Sequence, residues 1–272
     1  MFEALLQRMR RPFRAIMVVT GGALIAAACS EDGGGTDPPL PITSNAFGEG
    51  RSIASLLDPD LGRIPKENDN VQVTGVRVVH VDAFDETGGG QVGNVYLQDA
   101  SLPPGPNRAV LAFDPVYSPP SYRAIERDVV DAEGPFQLFP RGDAVRLLPE
   151  IVSAKLVARF DAVGGPLQPV EVPLGDFTSF ETGKKWLSTL VTVTNVRVLT
   201  LSLPKTGRAS IQLDAGVGLE PINLPTINNE LFDLGNAGLP IAEGQTIRRV
   251  TGLVTLFRNF SIAPRSAADI EL

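Results

Sequence analysis

The sequence predicts an all-β protein of two tandem five-stranded barrels with short interposed helices, held behind an export signal and a flexible tether. Three observations predict it. Glycine and proline are plentiful, 27 and 23 in 272 residues, while aromatics make up only 6%. That mixture suits short strands joined by many turns. No window of helical length after Ser30 keeps apolar residues at i, i+3, i+4 and i+7. And two valine-rich stretches repeat one another at an offset of 120 residues. The hydrophobic share of 43% is enough to fill a core.

The first 28 residues read as a signal. Arg8, Arg10, Arg11 and Arg14 form a positive segment, and Ala15 to Ala28 an apolar one ending in small residues. The apolar part is shorter than the roughly 20 residues a membrane helix needs. Cys29, the one cysteine, follows directly in Ala26-Ala27-Ala28-Cys29. This run resembles the lipobox of bacterial lipoproteins, which implies cleavage before Cys29 and a covalent lipid on its sulfur. By the same resemblance, serine after the cysteine implies an exported protein anchored in the outer membrane of a Gram-negative bacterium. The next stretch, "SEDGGGTDPPLPITS", combines flexible glycines with extended prolines and reads as a tether. The expected organisation is therefore signal 1–28, lipidated cysteine and tether 29–66, first barrel 67–176 and second barrel 177–272.

The repeat carries the architecture. "VQVTGVRVVHV" from Val71 and "VTVTNVRVLTL" from Val191 share six of eleven positions. Val71 and Val73 lie on one face of a strand, but past Gly75 the apolar residues fall at Val76 and Val78, in the opposite phase. A break centred on Gly75, matched by Asn195, predicts a bulge or bend needing positive φ and a bent strand serving two faces of a curled sheet. Second strands follow at "NVYLQDA" (94–100) and "SIQLDA" (210–215). Glycine-led strands are expected after Gly142 and Gly244. "SYRAIERDVV" and "NNELFDL" are expected as the interposed short helices or turns.

This outline is that of an oligonucleotide/oligosaccharide-binding (OB) fold. "VQVTGVRVVHVD", "VGNVYLQDAS" and "AVLAFD", with the closing "VTGLVTLFRNFSIAPRSAADIEL", resemble the OB-like modules that accompany secreted bacterial nucleases and surface lipoproteins. The resemblance covers roughly 70 to 270. It implies a fold more than an activity, because no catalytic domain follows the modules here and a long insertion occupies Pro115 to Phe139.

Catalytic chemistry finds little purchase. His80 is the one histidine and sits in an alternating strand, where it reads as a partly exposed residue facing away from Val79 and Val81. "TGKKW" lacks the P-loop glycine, since Thr178 stands at that position, and has Lys185 where Ser or Thr is required. Asp82, Asp85 and Glu86 crowd the first hairpin, and Asp99 ends the following strand; together they are a weak calcium candidate. "RGD" at Arg141 to Asp143 reads as a turn. Near the C-terminus Arg248, Arg249, Arg258 and Arg265 lie close to Phe257 and Phe260, a candidate face for stacking on bases or sugars.

Removing the signal takes four of the 24 basic and one of the 31 acidic residues, leaving a net charge of about −10. That disfavours nonspecific nucleic-acid binding. The expected function is a membrane-anchored, non-catalytic module that binds an envelope protein or glycan and carries no cofactor beyond its lipid. The runner-up is an accessory single-stranded nucleic-acid or glycan binder beside a separate enzyme. A metal-dependent hydrolase ranks last.

Overall fold

The computed structural model describes residues 51–86, 88, 92–140, 147–216, 218 and 224–272. The expected signal, Cys29, the "RGD" stretch expected as a turn and Gly142 lie outside the described residues. No helix among those described is long and apolar enough to cross a membrane. The fold is mostly strand, in two seven-stranded sheets.

The first sheet contains β1 (Asn70–Val81), β2 (Val95–Asp99), β3 (Ala109–Phe113), β4 (Val116–Ser118), β5 (Asp128–Pro140), β6 (Leu147–Val152) and β7 (Lys155–Val163). Its order is β1-β2-β3-β6-β5-β7-β4, and β5 also returns to β1, so five strands form a closed cycle of pairing. The second sheet contains β8 (Val170–Glu171), β9 (Leu190–Ser202), β10 (Ser210–Leu213), β11 (Thr226–Asn228), β12 (Thr246–Phe257), β13 (Asn259–Ala263) and β14 (Ile270–Glu271). There the cycle runs β9-β10-β11-β13-β12 and closes through β12–β9. In each cycle one pair is parallel, β3 with β6 and β11 with β13, and the rest are antiparallel.

The break in the repeated strand is present in both copies. Gly75 has φ +61° and Asn195 φ +54°. Across Gly75 the β1–β5 register slips by one between Val73 and Val76, whereas the β9–β12 register runs unchanged past Asn195. A second irregularity also recurs at the same offset: β1 slips against β2 between Val78 and His80, and β9 against β10 between Val198 and Thr200. The consequence differs from the expected change of face. Val71, Val73, Val76 and Val78 all enter one core, as do Val191, Val193, Val196 and Val198 in the second copy. In β1 an extra residue restarts the two-residue alternation one step late, so the strand bends and still faces the same interior; in β9 the positive φ at Asn195 does so with no change of register against β12.

The slip frees the Gly75 N–H, and Asp131 takes it: Oδ1 accepts at 2.7 Å. Asp131 is fully buried and lies 3.6 Å from Arg159 Nη1. This explains why the segment read as an insertion holds a strand of the cycle. "DVVDAEGPFQLFP" carries Asp131, Glu133, Gly134 and Pro135 through its middle, which masks its strand character. It is β5, and β12 occupies the corresponding place in the second sheet, while the segment after Gly142 supplies β6.

Short helical pieces precede the long strands β1 and β9, away from the two segments where they were expected. Helix α1 (Ile53–Leu57) comes before β1, and a 3-10 turn at Leu174–Thr178, α2 (Phe180–Gly183) and a turn at Lys184–Trp186 come before β9. The two segments expected to be interposed are turns, closed by Tyr122 N–H to Pro119 O at 2.9 Å and by Leu234 N–H to Phe232 O at 2.7 Å. Arg127, at φ +77°, stops any helix in the first. The expected tether also ends early. Arg51 bridges to Val73, and Ile53, Ala54 and Leu56 are buried in the first core. The second sheet begins by Val170, ahead of the expected boundary at 176/177.

The two sheets share apolar ground. Val79, Tyr96, Leu111 and Leu148 of the first belong to the buried cluster that fills the second. Gly75→Val should lower the unfolding free energy by about 1–2 kcal/mol, because a β-branched side chain is forced to positive φ. Asn195→Gly should stay within about 1 kcal/mol of the parent. Urea unfolding checks both, and equal losses in the two variants would contradict the assignment.

Candidate functional site

The C-terminal face expected from sequence is divided among three places. Arg248 and Arg249 both pair with Glu271, which β14 brings beside β12. Phe260 is buried against Phe177 and Phe180, with ring centroids 6.0 and 6.2 Å away. A Cβ on Gly183 would lie 2.5 Å from that ring, so packing, not phosphate, explains the glycine of "TGKKW". Arg265 holds Asp269 through two contacts of 3.1 Å and reaches Glu126 at 3.8 Å.

That last contact joins the sheets. Glu126 also lies 2.8 Å from His80 Nδ1, and this hydrogen bond, with help from Arg265, holds its carboxyl below the usual range against the effect of burial. The slip at Val79 changes the reading of His80: Val79 enters the shared cluster while His80 turns to Glu126, with Nε2 buried and unpartnered.

Phe257 and Arg258 remain together, joined by a residue the sequence did not single out. Arg208, just ahead of β10, lies 4.2 Å over the Phe257 ring, and Arg258 lies 5.8 Å from it. Arg208 also pairs with Glu86 of the first sheet at 3.2 Å. Beside them is a cleft of about 90 Å³ whose lining includes Ser210, Asn228, Glu230 and Asn259. Tyr96 donates its hydroxyl to Glu230 at 3.4 Å. A signal for Arg208 was absent because its partners lie 49 residues later and 122 earlier.

The carboxylates expected to share a cation divide as well. Asp99 accepts from the N–H groups of Ile53 and Ala54 at 2.7 and 3.0 Å, so it caps α1. Burial nevertheless pushes its carboxyl up. Asp82 follows β1 and faces Asn94 beyond the opposite end of β2, roughly 17 Å along the strand from Asp99. Among the described residues no group of three His, Cys, Asp or Glu side chains is arranged to hold a metal. Asp82 is buried, which raises its carboxyl to about 7 against the Phe84 N–H it accepts. Glu230, Glu86 and Asp85 push the same way. Glu86 is raised too, by burial first, with Arg208 opposing.

Neither a protein-family model, nor a curated protein, nor a solved structure matches the chain. The chemistry is therefore read from the geometry alone. The cleft offers an amide, a carboxylate and hydroxyls beside an aromatic ring whose faces are shared with guanidinium groups. It suits a polar ligand held by hydrogen bonds. A larger cavity, about 680 Å³, lies between Leu57, Phe136 and Leu138 on one side and Phe180 and Leu187 on the other. It is mostly apolar and holds none of the residues expected from sequence.

Asp99→Ala should cost about 1–3 kcal/mol, because two buried N–H groups of α1 lose their acceptor; thermal unfolding measures it. Asp82 gives a pH-dependent outcome. Its folded value lies above the ordinary 3.8, so folding strengthens proton binding. Its stabilisation is complete below about pH 4 and lost as pH rises through about 7. The parent should lose stability across that interval more steeply than Asp82→Asn in urea unfolding. Identical slopes would refute the assignment.

Proposed function

We propose that the protein is exported, cleaved before Cys29, lipid-anchored to the envelope, and acts there as a non-catalytic binding or assembly module. The observation that carries this reading is Cys29 itself, the sole cysteine, placed between an apolar run ending in three alanines and a Gly/Pro-rich stretch. An exposed free thiol in an oxidising compartment is a liability, and acylation removes it. Each buried acyl CH₂ contributes about 0.8 kcal/mol, so several chains make release negligible.

On this reading each cycle of strands is an OB-like barrel. The cyclic order and the single parallel pair in each support it. The apolar cluster shared by both sheets supports a single presenting body. Partners are the membrane, through the lipid, and an envelope protein or glycan.

A second reading, an accessory binder acting beside a separate enzyme, is favoured by the arginine-flanked Phe257 at the polar cleft. The mature charge of about −10 turns that reading toward glycans and away from nucleic acid.

Metabolic labelling with a fatty acid should mark the protein. Cys29→Ser should abolish both the label and its recovery with membranes. A variant that still sediments with membranes, unlabelled, would place the anchor elsewhere.

A further inference from the structure

β4 and β7 lie outside the cycle of pairing in the first sheet, and they build a feature the second sheet lacks a counterpart for among its described residues. Val130 pairs with Ala158 and Asp128 with Val163, so four residues of β7 oppose the single Val129. A bulge of that size turns side chains out of the ladder. Phe160 sits in it and is 65% exposed. Its ring meets Tyr122 edge-on, 6.2 Å between centroids and 83° between planes. Tyr122 meets Tyr117 of β4 the same way, at 5.7 Å and 80°.

Beside these rings is a cavity of about 160 Å³ lined by Tyr122, Asp128, Val129, Ala158, Arg159 and Phe160. Asp128 Oδ2 accepts the Tyr122 hydroxyl at 2.6 Å and the Ile125 N–H at 3.0 Å. Its Oδ1 takes no hydrogen bond among the described residues. Burial and the Asp128 carboxylate both push the Tyr122 hydroxyl up, so it stays a neutral donor. Arg159 is held by Asp131 on the adjoining wall, and Arg123 stacks 5.4 Å from the Tyr117 ring.

Size and charge select the ligand. The cavity has room for about five waters at ~30 Å³ each, well below the roughly 300 Å³ of a drug-sized site. Among the described lining residues the charged ones are Asp128 and Arg159, and Arg159 already meets Asp131, so a phosphate finds no net attraction. An uncharged polyhydroxyl ring does better. Its C–H face packs on the exposed Phe160 ring, and its hydroxyls donate to Asp128 and accept from Arg159.

The geometry points to a binding subsite for one uncharged pyranose unit of a glycan, with Phe160 as the stacking platform and Asp128 and Arg159 as hydroxyl partners. This deepens the envelope-module reading and rests on it only for where such a glycan is met. Stacking on single-stranded nucleic acid would use the same ring, but phosphates meet an acidic chain and the Asp128 carboxylate.

The test is affinity electrophoresis of the full chain through gels containing hydroxyethylcellulose, laminarin, galactomannan or glycol chitin, with a gel shift of oligothymidylate alongside. At least one neutral polysaccharide should retard the protein. Phe160→Ala should weaken that retardation at least tenfold and Asp128→Asn several-fold, while Leu61→Ala, exposed and outside the cavity lining, matches the parent. Phe160→Ala removes an exposed side chain, so its melting temperature should stay at the parent's. No retardation in any of the four gels would overturn the subsite. So would retardation unchanged in Phe160→Ala, or an oligothymidylate shift that Phe160→Ala abolishes. The lipid on Cys29 plays no part in these gels, so failure of the anchor and failure of the subsite are read separately.

Discussion

The carboxylate of Asp131, fully buried, accepts the N–H that the left-handed residue Gly75 withdraws from the β1–β5 ladder. Burying an ionised group is costly unless it is hydrogen-bonded and paired. Here Arg159 supplies the opposite charge from β7. Three strands are thereby held in one register, and most of the first sheet follows from it. With the slip in place, Val71, Val73, Val76 and Val78 face a single interior. Without it, the last two would point outward and that core would lose its centre.

The second irregularity, at Val79, has the opposite consequence. It sends one valine of the strand outward, where it joins Tyr96, Leu111 and Leu148 in the cluster that fills the second sheet. Each such side chain removed from water contributes about 1.5–3 kcal/mol as an upper estimate, so the junction resembles a core more than a hinge. Polar and charged groups edge it: His80 and Glu126 with Arg265 and Asp269, and Glu86 with Arg208. Arg248, Arg249 and Arg265, which looked available for a ligand, are thus committed to tying down β14 or to holding the sheets together.

Two exposed phenylalanines show how context separates similar residues. Phe257 lies near two guanidinium groups at the polar cleft of the junction. Phe160 is pushed out by a bulge on strands added beyond the cycle, next to a small cavity carrying both charges. An aromatic side chain left in solvent gives up burial free energy, and in both places polar groups converge beside it. Of the added strands, β4 comes from the connection between β3 and β5, and β7 from the segment that follows the last strand of the first cycle. Extra chain there enlarged the surface without disturbing the five-strand cycle.

The sequence by itself determined the strand-rich character, the two-unit repeat and the special backbone at Gly75 and Asn195, because composition, periodicity and left-handed preference are local properties. The proposed export signal and its cysteine rest on a local pattern in the same way. Residues brought together by pairing were not. β5 hid behind Asp131 and Glu133, and the burial of Asp131 is tolerable only once Gly75 and Arg159 are beside it. Asp99 read as part of an acidic hairpin, yet it caps a helix more than forty residues earlier. Arg208 and Glu230 gave no sign of themselves, and Arg248, Arg249 and Arg265 signalled a face that folding parcelled out to Glu271, Asp269 and Glu126. A carboxylate or guanidinium takes its role from the partner it meets, and across strands distant in the chain only the tertiary structure selects that partner.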